Sequence, residues 1–168
     1  MILSDGVTSG SYITHTGGNS VATQYFGIGV GTPNQFNIDG YGNAGLGVFP
    51  SAWTATHKAY QLQGGGSLYN NGADGYLNLA NNFYYDGTNW RRVTAAPVSM
   101  YLQSSSGHLW GYTGTGAADS ICGFPASQMA LDVSGNLGLG TTPSPFPAGR
   151  TVLEIGGSTT GNIAFNGN

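Results

Sequence analysis

Leu131-Asp132-Val133-Ser134-Gly135-Asn136-Leu137-Gly138-Leu139-Gly140-Thr141-Thr142-Pro143 is the stretch whose reading decides the fold. Met129, Leu131 and Val133 alternate with Ala130 and Asp132, which gives a strand one apolar face. Ser134-Gly135-Asn136 supplies a turn, with Gly135 accepting the positive φ that a tight hairpin demands. Leu137 and Leu139 resume the alternation, Gly138 and Gly140 take the opposite face, and Pro143 stops the strand. A hairpin with a glycine face is flat enough to lie against another backbone.

The stretch occurs twice. Phe36 to Ser51 matches Met129 to Ser144 without a gap, Asp39 falling on Asp132 and every pair keeping that offset of 93 residues. Asp39/Asp132, Gly42/Gly135, Asn43/Asn136, Gly45/Gly138, Leu46/Leu139, Gly47/Gly140 and Pro50/Pro143 are identical pairs. The register continues past the proline, with Ala59 against Val152 and Leu62 against Ile155, so about 27 positions align. Shared glycine content does not produce a match of that length. The chain contains an internal repeat.

The pattern Leu-Asp-x-Ser-Gly-Asn-x-Gly-Leu-Gly-Thr-Thr-Pro-Ser resembles the repeated shaft segment of bacteriophage tail fibres and tail spikes. Phe83 to Trp90 and Tyr101 to Trp110 resemble the segments between such repeats, and the resemblance covers Asn37 to Ile155. It implies a structural virion protein that contributes to host attachment, a homotrimer with other virion proteins as neighbours and a host surface glycan as candidate ligand. Its location would be the virion, and extracellular after release. No catalytic residue and no cofactor come with it. Two other readings stay open: a polysaccharide depolymerase spike fragment with an intersubunit site, and a capsid-decorating or cell-surface adhesin fibre.

Composition bounds the rest. Leu, Ile, Val and Phe make up about a fifth of the 168 residues, few for a core of ordinary size. A copy of the chain is the simplest source of the missing burial, since association covers strand faces and sheet edges. Charged residues are 7% of the chain and only four are Lys or Arg, which excludes a phosphate-binding surface and hence nucleic acid as a partner. No apolar run reaches the ~20 residues of a membrane span, so membrane insertion is not expected. Met1-Ile2-Leu3 before Ser4-Asp5 lacks the basic start and apolar core of a signal peptide. Cys122 is the single cysteine and reads as a small buried hydrophobe.

The expected fold is all-β: short antiparallel hairpins in a fibrous trimeric assembly of β-prism or sandwich-like form. Residues 1–35 form an N-terminal β segment and residues 36–51 the first repeat hairpin. Residues 52–126 are an aromatic-rich β insert, and residues 127–168 hold the second repeat hairpin and a truncated start of the next unit. Val21 to Phe26 reads as a strand, and Gly27 to Pro33 as a degenerate hairpin arm. Residues 52–62 read as a turn around Trp53 leading into a strand from Lys58, broken by Gly64-Gly65-Gly66. Phe83-Tyr84-Tyr85 running into Asp86-Gly87 is the strongest hairpin signal, and Ser104-Ser105-Ser106-Gly107 is a second turn.

Candidate chemistry is sparse. Asp39, Asp86 and Asp132 sit beside turns, where an aspartate hydrogen-bonds its own backbone rather than pairing across a cleft as a glycosidase requires. His15, His57 and His108 have no close partner in sequence, so no metal site is expected, and a solvated or strand-surface histidine is the default for each. Aromatics are the one enrichment bearing on binding. Tyr84, Tyr85, Trp90, Tyr101, Trp110 and Tyr112 cluster around the two insert hairpins. Tyr85, Trp90, Trp110 and Tyr112 are the candidate ligand-binding residues, because aromatic faces stack on sugar rings while nearby amides and hydroxyls bond their OH groups.

Overall fold

A computed structural model describes residues 11–16, 25–30, 35–72, 75–145 and 151–156. The expected strand over residues 21–24, the turn at residues 31–34 and the start of a further unit after residue 156 lie outside them. The described residues form fourteen strands and no helix. The protein is all-β, as the alternation predicts.

The strands are β1 (Ser11–Thr16), β2 (Tyr25–Val30), β3 (Phe36–Asp39), β4 (Ala44–Leu46), β5 (His57–Leu62), β6 (Gly66–Asn71) and β7 (Tyr76–Asn81). They continue as β8 (Phe83–Tyr85), β9 (Trp90–Arg92), β10 (Val98–Ser104), β11 (Gly107–Thr113), β12 (Ala126–Asp132), β13 (Leu137–Leu139) and β14 (Leu153–Ile155). Twelve form one sheet in the order β1-β2-β3-β4-β5-β6-β7-β10-β11-β12-β13-β14, while β8 and β9 pair separately.

The two repeats build one structure. Phe36 pairs with Leu46 in β3–β4, and Met129 with Leu139 in β12–β13. Both turns close alike, with Gly42 at φ 83° and Gly135 at φ 82°. That left-handed residue ends a three-residue loop, Val133 to Gly135 in the second copy, so Val133 lies on the turn rather than extending the strand. Asp39 Oδ1 accepts from the Tyr41 and Asn43 amides at 2.9 and 2.8 Å, and Asp132 Oδ1 accepts from Ser134 and Asn136 at 2.8 Å each.

One feature departs from the hairpin reading. In each copy the strand after the hairpin is parallel: Ala44 pairs with Tyr60 in β4–β5 and Leu137 with Leu153 in β13–β14. The Asn side chain anchors the crossover, since the Ala59 amide donates to Asn43 Oδ1 at 3.0 Å and the Val152 amide to Asn136 Oδ1 at 3.1 Å. The glycine face admits its backbone. A Cβ on Gly45 or Gly138 would collide with the Val48 or Thr141 carbonyl oxygen and stand 3.1 or 3.0 Å from Cδ of Pro50 or Pro143. The repeated unit is therefore a hairpin plus a parallel strand.

Gly64-Gly65-Gly66, which reads as a break, turns the chain directly into β6, a strand the alternation leaves unassigned. Asn82, in the left-handed region at φ 68°, then lifts the chain out of the sheet between β7 and β8. Its amide nitrogen donates to the Ala96 carbonyl at 2.8 Å, and its Oδ1 accepts from the Thr94 amide at 2.7 Å. The β8–β9 hairpin thereby lies over one face of β5, β6, β7 and β10. Trp53, Tyr69, Phe83, Tyr84, Val98 and Met100 form the core between these layers, each large apolar side chain contributing about 2–3 kcal/mol by burial.

Candidate functional site

Strand alternation gives the sheet two unlike faces. On the inner face, under the connecting segments and the β8–β9 hairpin, sit Asn37, Asp39, Gly45, His57, Gln61, Ser67, Tyr69 and Asn78, all buried. The outer face carries a row of mutually paired residues: Phe26, Ile38, Ala44, Tyr60, Leu68, Leu79, Tyr101, Trp110, Met129, Leu139 and Ile155, one per strand of the main sheet from β2 to β14. Short apolar runs flank it at its two ends and on opposite sides, Ile28, Phe36, Leu46 and Leu62 at one end and Leu131, Leu137 and Leu153 at the other. Leu79 is 61% exposed and Leu153 54%. At ~4.8 Å per strand the row spans roughly 50 Å, and with the flanking runs at its two ends the apolar patch is on the order of 600 Å². Monomers rarely expose so large an apolar patch.

The four candidate rings separate between these faces. Tyr85 and Trp90 belong to the hairpin over the inner face, their ring centroids 5.0 Å apart. Trp90 also lies 4.8 Å from Phe83 and 5.8 Å from both Tyr69 and His57. Trp110 and Tyr112 stand on the outer face, where Trp110 packs 4.8 Å from Tyr101 and the Tyr101 hydroxyl hydrogen-bonds His108 Nδ1 at 2.7 Å. The expected single cluster around both hairpins is corrected. The β10–β11 hairpin is part of the main sheet, whereas β8–β9 crosses over it.

The aspartates behave as turn ligands. Asp86 accepts the Thr88 and Asn89 amides at 2.8 and 2.7 Å and pairs with Arg91. The Arg91 guanidinium first, then those amides, hold its carboxyl down at about 2, so it stays ionised. Asp132 is likewise lowered, chiefly by the Asn136 side-chain amide. Tyr84 donates to Asp119 Oδ1 at 2.7 Å, and burial together with that bond pushes the phenol up to about 12. Cys122 is half-buried against the core, and burial raises its thiol.

His57 corrects the solvated-histidine expectation. It is 3% exposed and sits among Trp53, Tyr69, Tyr85 and Trp90. Near it the inner face and the overlying hairpin leave a groove of about 350 Å³. Its floor is two adjacent inward rows, His57, Asn71, Tyr76 and Ser104 beside Tyr69, Asn78 and Leu102, and Trp90 and Phe124 stand over it with centroids 5.5 Å apart. Of these residues the sequence reading singles out only Trp90 as a ligand contact. Tyr69 lies in the unassigned β6, and Asn78 is one of many asparagines. The available signal was alternation within Tyr76-Leu77-Asn78-Leu79, which places Tyr76 and Asn78 on one face. No protein-family model, curated protein or solved structure matches the chain.

Proposed function

We propose that this chain is a structural segment of a virion fibre or spike, associating with copies of itself as a homotrimer and contributing to host-surface attachment. The observation that carries the reading is the uninterrupted apolar row on the outer face. It crosses both repeats and the insert between them, and its rungs carry no charge. A partner that covers it must be as long and as regular as the row, and a copy of this chain has both properties. Obligate homo-oligomer interfaces have this composition, a domain core cut in half. The repeated hairpin and its resemblance to tail-fibre shafts supply the virion context, and the aromatic insert supplies the attachment surface.

Immunogold labelling of virions that carry the chain tests the assignment, with antibody raised against residues 75–145. Label on tails or fibres supports it. Label on host cells and none on virions would replace the virion fibre with a cellular adhesin.

A further inference from the structure

The groove beneath Trp90 holds two buried polar groups that packing does not satisfy. Tyr69 and Asn78 both line it, both are only 2% exposed, and neither the Tyr69 hydroxyl nor Asn78 Oδ1 has a hydrogen-bond partner among the described residues. A buried hydroxyl or amide oxygen left unpaired has lost its water without compensation, and such groups are rare in native proteins. Two in one groove call for an occupant. Tyr69 offers a donor and Asn78 an acceptor, about what vicinal hydroxyls of a small polyol need.

The remaining walls narrow the class of that occupant. Trp90, Phe124 and Tyr76 give it aromatic surface, while Ser104 and Ser106 add hydroxyls at the rim. Among the described residues no Asp, Glu, Lys or Arg lines it, so none of them favours a charged ligand over its hydration shell. Aromatic faces beside uncharged donors and acceptors suit a pyranose ring, whose C–H face is apolar and whose edge is all hydroxyl. At about 350 Å³ the groove is at the small end of ligand sites, room for one or two sugar units.

We infer that the groove between the inner face of β5–β6–β7–β10 and the β8–β9 hairpin is a binding site for a neutral saccharide, with Tyr69 and Asn78 bonding its hydroxyls and Trp90 packing on its ring. The inference deepens the attachment reading and takes from it only the source of the sugar, a host-surface glycan.

The test uses the full chain titrated with glucose, galactose, mannose and N-acetylglucosamine and their homodisaccharides, read by intrinsic tryptophan fluorescence and calorimetry. At least one neutral sugar should bind and change the tryptophan signal, and glucuronic acid should bind far more weakly or not at all. Tyr69→Phe should weaken that sugar about tenfold. The same variant should leave the sugar-free melting temperature unchanged or raise it by about 2–4 °C, because it removes an unpaired buried hydroxyl. No binding by any neutral sugar at 10 mM overturns the inference, as does a Tyr69→Phe variant that binds normally. A variant that melts lower and a wild type that binds nothing would mean that the groove holds structural water alone. Adsorption of the labelled chain to host envelopes separates the two readings. Sugar binding without adsorption keeps the site and removes the attachment role, and adsorption unaffected by Tyr69→Phe removes the site and keeps the role.

Discussion

On the inner face of the sheet polar side chains are buried, and within the repeats many of them bond one another and the turns. Asn43 donates to Asp39 Oδ2 at 2.8 Å and accepts from the Ala59 amide, while Gln61 Oε1 accepts from the Ser51 amide at 2.8 Å. On the outer face Tyr60, Leu68, Leu77 and Leu79 stand exposed on β5, β6 and β7. Within the repeats the usual allocation is reversed, and the reversal helps to account for a composition poor in aliphatics. The inside needs turn-binding amides and glycines, and much of the aliphatic content is left on the outside. A low aliphatic count here reports which face holds the aliphatics as much as how many there are.

The largest effect expected from this contrast comes from placing a charge on the outer face. Leu79→Asp should split the proposed oligomer into monomers, seen as a fall in mass by light scattering, because burying a carboxylate in an apolar seam costs several kcal/mol per copy. If the face is free in solution, the same substitution is an ordinary surface change within about 0.5 kcal/mol, and the mass stays put. Either result decides whether the two faces differ in use as well as in composition.

Next in size is the glycine face of the inner side. Gly45→Ala and Gly138→Ala each drive a methyl into a carbonyl oxygen of the crossover, and each should cost about 3 kcal/mol in urea denaturation. Similar losses at the two sites would mean that the repeats are energetically one unit. A neutral Gly138→Ala would show that the second crossover yields where the first does not.

Asn43→Ala should cost about 2 kcal/mol, since it removes the side chain that joins the turn to β5. A loss well under 1 kcal/mol would mean that the buried amide contributes little beyond filling space.

How much of this was legible in the residues depends on which link is asked for. The strand–turn–strand of each repeat follows from alternation around Gly42 and Gly135, because side-chain period and turn chemistry are local. The turn roles of Asp39, Asp86 and Asp132 are local in the same way. The parallel crossovers were not legible. They depend on Asn43 and Asn136 reaching backbone sixteen residues later, and nothing in a short window announces that. The placing of Trp90 and Trp110 on opposite faces was hidden for a similar reason. It follows from Asn82 lifting β8 out of the sheet, a single backbone conformation at one residue. The groove was the least visible part, since Tyr69, Asn78 and Phe124 meet only after the sheet and the overlying segments are assembled.

The smallest predicted effect lies at the hairpin tip over the inner face. The carboxyl of Asp86 has a folded value of about 2, below its ordinary value near 3.8. Its ionised form therefore contributes stability above about pH 4, and that contribution is lost as pH falls from there through 2. Asp86→Asn should flatten this limb of the melting-temperature profile and leave the profile near neutrality almost unchanged. An unaltered acid limb would place the acid sensitivity at Asp132 and its companions instead.

Sedimentation equilibrium of the full chain across a hundredfold range of micromolar concentrations tests the central claim most directly. The account predicts a single species of three times the 17.3 kDa chain mass at every concentration, with no folded monomer at the dilute end. A folded, stable 17.3 kDa monomer throughout that range would contradict it, because the apolar row of the outer face would then be permanently open to water.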